Sequence, residues 1–115
     1  MLCDQNVPIG VLRFLKSHDC HTCFSLGWDR LSNGELLREA AKYGFTVFLT
    51  CDRNLPKQQS VKGMGLAVVV LGTNRWSILQ QESRRITDAV ERARAGEMVE
   101  VEFPKRIPSP SPEPS

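Results

Sequence analysis

At 115 residues, 41% hydrophobic and 24% charged, the chain has the size of one ordinary globular domain with a modest core, which leaves room for a single site. Its formal net charge is +2 and no run of Lys or Arg points to a dedicated nucleic-acid tail, so composition neither requires nor excludes a polyanionic partner. The start lacks the basic and apolar regions of a signal peptide, and the longest apolar run, residues 66–71, is too short for a bilayer; a soluble, cytoplasmic protein with no membrane partner is expected.

Residues 1–3 read as a first strand that ends at Asp4. Pro8 then suits the first turn of a helix to about Ser17, with Val11, Leu12 and Leu15 on one face. Residues 20–24 read as a second strand. The stretch "HDCHTC" gives Cys20 and Cys23 zinc-ligand spacing, but a closed structural site needs four ligands and no second C-x-x-C or H-x-x-H completes it. The reading kept is a strand whose alternate side chains face the core, with Cys3, Cys20, Cys23 and Cys51 as reduced thiols.

A loop leads to the clearest helix of the chain. Ser32 and Glu35 stand three apart like a capping box, Leu36, Leu37 and Ala40 form an apolar face, and Gly44 ends it. Residues 45–50, "FTVFLT", are β-branched and aromatic on both faces, as a central parallel strand should be, and they deliver the chain to Asp52. A polar connection with a short helix precedes a fourth strand over 66–71. Ser77 with Gln80 again resembles a capping box, predicting one helix to Gly96 with Leu79, Ile86, Val90 and Ala93 inward. Residues 98–103 close as an edge strand, and the proline-rich remainder, 104–115, reads as a disordered tail beyond a domain of residues 1–103. Strands alternating with helices predict an α/β fold with a mainly parallel sheet of about five strands.

In such sheets ligands bind outside the carboxyl ends of the strands, where the strand order reverses. Asp4 and Asp52 each follow an apolar strand, each with an Asn and a Pro just beyond. If their strands are close, the carboxylates converge on one pocket whose oxygen ligands suit Mg²⁺ or Mn²⁺. Asn6, Asn33 and Asn54 can join that rim or simply cap turns. Glu35 is either a third carboxylate or the second half of the Ser32 capping box. Arg75 offers charge and Trp76 a stacking surface for RNA, whereas Arg84, Arg85, Arg92 and Arg94 alternate with acids and fit a solvated helix face.

"CDQNVP" and "SNGELLREAAKYGFTVFLTCDRNL", in that order and spacing, resemble the short PIN-like domain family. Its members open with Asp-Glu-Asn-Leu-Pro and carry a Ser-Asp-Glu-Glu helix start and a Thr-x-Asp-x-Asp-Phe strand end. The resemblance covers about residues 1–75 and implies a PIN-like three-layer sandwich with helices on both faces. It also implies a Mg²⁺- or Mn²⁺-dependent ribonuclease, a hydrolase of RNA, as in the toxins of toxin–antitoxin pairs. An antitoxin-like protein and a second copy of the chain are the protein partners expected. Carried over by position, Asp4 matches the first acid, Asn6 the amide after it and Asp52 the strand-end acid, with Glu35 the remaining candidate carboxylate. Gln5, Asn33 and Asn54 stand where the family has acids, and each amide removes a negative charge that would hold a cation. The alternative is therefore a PIN-like interaction module with weak or no catalysis. A nucleotide-binding doubly wound domain is disfavoured, because no Gly-rich phosphate loop follows the first strand.

Overall fold

In the computed structural model, which describes residues 1–103, the apolar runs become β1 (Leu2–Cys3), β2 (His21–Thr22), β3 (Val47–Thr50), β4 (Ala67–Leu71) and β5 (Met98–Val101). They form one five-stranded sheet in the order β2-β1-β3-β4-β5, and every neighbouring pair is parallel. β4 is buried at every residue, as a strand covered on both sides must be. The tail expected over 104–115 lies outside the described residues.

Successive strand residues point to opposite faces, and the core divides accordingly. Leu2, Phe48, Val68 and Val70 share one cluster with Leu36, Leu37 and Ala40 of α2 (Asn33–Tyr43). Cys3, Leu49, Val69 and Leu71 share the other with Val11 of α1 (Ile9–Phe14) and Ile86 and Val90 of α5 (Ser83–Arg92). The chain is an α/β protein.

The sequence of connections matters more for the site than the helices do. From β1 the chain moves outward to β2, then crosses back over β1 to place β3 on its other side. β1 and β3 are thus neighbours whose outgoing connections run in opposite directions, and in open α/β sheets it is at the carboxyl ends of such a pair that a ligand crevice forms.

β3, β4 and β5 are shorter than expected, the last helix ends at Arg92 before Gly96, and three further elements differ in a way that has a visible cause. The second strand is confined to His21–Thr22, because Ser25 bonds back to Thr22 through both its N–H (3.0 Å) and its hydroxyl (2.8 Å) and turns the chain. The first helix ends at Phe14 and passes into a 3₁₀ turn, Lys16–His18, closed by Asp19 in the left-handed region. The single helix expected from Ser77 is two: α4 (Trp76–Leu79) and α5, separated by i→i−3 bonds of Gln81 to Ile78 and Glu82 to Leu79. The Ser77–Gln80 box does not form, because Ser77 lies inside α4 and Arg75 occupies the N-cap. Trp76 instead anchors α4 on α1, stacked on Phe14 with centroids 5.6 Å apart. It lies so close over Gly10 that a Cβ there would fall 2.3 Å from the indole ring. The helical connection between β3 and β4 is α3 (Leu55–Gln58), which starts with Pro56 in its first turn.

Candidate functional site

Asp4 directly follows β1, and its N–H continues the ladder to Leu49 of β3 (2.8 Å), so its position is held by the sheet itself. Asp52 follows β3 by two residues. Both lie at the carboxyl edge, on the two strands that flank the crevice.

Between them is Thr50, buried completely and the one buried polar side chain among the described residues. Its hydroxyl donates to Asp4 Oδ2 at 2.8 Å and accepts the N–H of Asp52 at 3.1 Å. One side chain thus ties the first acid to the backbone that carries the second. Asn6 joins through its carbonyl oxygen, which accepts the Cys51 N–H at 3.0 Å. Each acid is also fixed by its own loop. Gln5 N–H donates to Asp4 Oδ1 (2.8 Å) and Asn54 N–H to Asp52 Oδ1 (2.9 Å), the latter an Asx-turn that starts the chain toward α3.

The remaining candidates divide. Asn33, the first residue of α2, directs its amide nitrogen at Asp52 Oδ2, 3.4 Å away, so it belongs to the cluster as a donor. Asn54 contributes its backbone only, for its side chain is exposed and makes no cap bond. Gln5 is exposed and reaches the Asp29 carbonyl at 3.5 Å. Glu35 is not aimed at the acid pair, a correction to the expectation of a third carboxylate there. Its Oε1 accepts the Ser32 N–H (3.0 Å) while its own N–H donates to the Ser32 hydroxyl (3.3 Å), completing the capping box. The bond from the Ser32 amide holds the Glu35 carboxyl below its usual range. That contribution to the helix is present at neutral pH and is lost as pH falls through the depressed value. The physical reason is that the carboxylate satisfies an otherwise orphan amide at the start of its own helix.

Trp76 is 39% exposed, but one face is taken by Phe14 and Gly10, which limits it as a platform for a base. Arg85 pairs with Glu82 at 3.0 Å on the α5 surface, as a solvated helix face would. Cys20 and Cys23 belong to the cores on opposite faces of the sheet and so do not converge. Among the described residues no three His, Cys, Asp or Glu side chains group to hold a metal ion. Cys51 and Cys23 are each pushed up to about 12, by burial first and then by the charge of Asp4, so neither supplies a thiolate at neutral pH.

The donors in the crevice are two carboxylates and the carbonyl oxygen of Asn6, all hard oxygen ligands. Every carboxylate oxygen already accepts one protein hydrogen bond and keeps a lone pair free. Donors of this chemistry are the kind that Mg²⁺ or Mn²⁺ takes, and two carboxylates would be too few to hold two ions. Thr50 is the threonine of the Thr-x-Asp strand end, but a threonine closing a β-strand is ordinary and nothing beside it marks it as a link between acids. The available signal was its period-two relation to Phe48, which turns it inward.

Thr50→Val should keep the shape and remove the hydroxyl, leaving the Asp52 N–H without an acceptor. A loss of about 1–3 kcal/mol is expected in denaturant unfolding with unchanged m, and Thr50→Ser should recover most of it. An unchanged midpoint would show that the bridge is not structural.

No protein-family model matches this chain, and comparisons with curated proteins and with solved structures gave no match.

Proposed function

We propose that the chain is a PIN-like ribonuclease that depends on one weakly held Mg²⁺ or Mn²⁺ in the crevice between β1 and β3. The observation that carries this reading is the buried Thr50 hydroxyl joining Asp4 to the Asp52 backbone. A turn needs no such link, whereas a pair of acids that must hold a fixed separation does. Asp4 and Asp52 would hold the ion, which when bound supplies a Lewis acid and an activated water for attack on an RNA phosphate. Thr50 would fix the Asp4 carboxylate relative to the Asp52 backbone, and the Cys51 amide holds the Asn6 carbonyl beside this link. The family resemblance extends the proposal to the toxin half of a toxin–antitoxin pair, with an antitoxin-like protein partner. Action in the cytoplasm is in keeping with four free thiols. Among the described residues no helix is long and apolar enough to cross a membrane.

A second reading, a PIN-like interaction module without turnover, is favoured by Asn33. Its amide nitrogen meets Asp52 where the family has another acid, so a hydrogen bond rather than a cation satisfies that oxygen.

The experiment is a Mn²⁺ titration against a labelled single-stranded RNA. Cleavage is expected only at about millimolar metal, since two carboxylates bind a hydrated divalent ion weakly, and chelation should remove it. Silence across the whole range of Mn²⁺ and Mg²⁺ would transfer the assignment to the interaction module.

A further inference from the structure

We infer that a second cleft on the same sheet edge, over the ends of β4 and β5, binds the phosphodiester backbone of the RNA strand. This rests on the ribonuclease reading and adds where the strand is gripped. The cleft encloses about 440 Å³ and is lined by Arg53, Gly72, Thr73, Arg75, Ile78 and Glu102, with Phe103 at its margin. That is room for a sugar–phosphate unit.

Its frame is built from strand ends. The β4–β5 ladder runs on through the Gly72 N–H to the Val101 carbonyl (2.9 Å), and a Cβ at Gly72 would come within 2.9 Å of that oxygen. Only glycine lets the two chains close to this distance. Beyond it the Thr73 hydroxyl accepts the Arg75 N–H at 3.2 Å, turning the loop so that Arg75 borders the cleft. Arg53 comes from the other side, as the residue after Asp52. The acidic crevice and the basic cleft therefore share one loop.

The chemistry of the lining selects the ligand. Among the described residues neither Arg53 nor Arg75 forms a salt bridge, in contrast to Arg85 on α5. Among the described residues of the lining two guanidinium forks oppose the carboxylate of Glu102, one positive charge in excess, and such forks match phosphate oxygens. Ile78 and Phe103 offer an apolar wall for the sugar. The Asp4–Asp52 crevice repels a phosphate unless a cation is bound, so affinity for the strand has to come from outside it. Arg53 directly follows Asp52 in the sequence.

The test is fluorescence anisotropy with a labelled single-stranded oligouridine in EDTA, across a range of salt, so that no metal contributes. Arg53→Gln with Arg75→Gln should weaken binding at least tenfold and reduce the log–log salt slope by about 1.4, the share of two phosphate contacts on a single strand. Arg84→Gln with Arg92→Gln removes the same charge from the exposed face of α5 and should change affinity less than twofold. Glu102→Gln should tighten binding by removing the opposing charge. The inference is overturned if the wild type does not bind, or if the two arginine pairs have equal effects. Cleavage in Mn²⁺ is read separately. Cleavage without arginine-dependent binding sinks the cleft and leaves the nuclease; arginine-dependent binding without cleavage sinks the nuclease and leaves the cleft.

Discussion

Asp4→Asn is expected to reduce Mn²⁺-dependent RNA cleavage by at least roughly 100-fold with the fold intact, because it removes one of only two charges available to hold the ion. The amide is nearly isosteric, and the local bonds can be remade. Its carbonyl oxygen can still accept the Gln5 N–H, and its nitrogen can donate to the Thr50 hydroxyl, whose proton then turns to Asn6 Oδ1, 3.5 Å away. The stability change should therefore stay within about 2 kcal/mol, the scale of one exchanged hydrogen bond to a charged group. Single-turnover cleavage and thermal unfolding on the same sample separate the two effects. Retained cleavage in a folded Asp4→Asn protein would remove Asp4 from the chemistry, and with it the argument from the Thr50 bridge.

Asn33→Asp should have the opposite sign, and it should outperform Asn54→Asp. Asn33 already faces Asp52 Oδ2 at 3.4 Å, so a carboxylate in its place would lie against an existing acid. Without metal the two like charges repel, and the variant should be less stable in EDTA than the wild type. With Mn²⁺ the same repulsion becomes attraction for the ion. Affinity should rise on the order of tenfold or more, seen as a larger metal-dependent increase in melting temperature, with cleavage at lower metal. Asn54 offers only its backbone to Asp52 and points its side chain to solvent, so a carboxylate there should add little. If Asn33→Asp leaves metal affinity unchanged, charge count is not what limits the crevice. If it raises affinity and RNA still survives intact, the interaction module is the better assignment.

Features set by local forces could be read directly from the order of residues. The α2 helix was legible to its caps because Ser32, Glu35 and Gly44 act on neighbouring backbone and need nothing from the rest of the fold. The class of sheet was legible because β3 and β4 are apolar on both faces, which only a covered parallel strand tolerates. The placement of Asp4 and Asp52 after apolar strands was legible too, as an acid at the rim. Which strands are neighbours is a long-range matter that emerges on folding. The crossover from β2 to β3 sets β1 against β3, and pairing across some 46 residues leaves no trace in local pattern. That pairing promotes Thr50 from an ordinary strand end to the link between the acids, and turns Asn33 toward Asp52. It also leaves Glu35, on the same helix turn, bonded to Ser32. Likewise the break between α4 and α5 was invisible in the helical period, since Leu79 and Ile86 stand seven residues apart on one face of an unbroken helix. It shows only in the folded chain, where Gln81 and Glu82 bond three residues back and Trp76 docks α4 on Phe14 and Gly10 of α1.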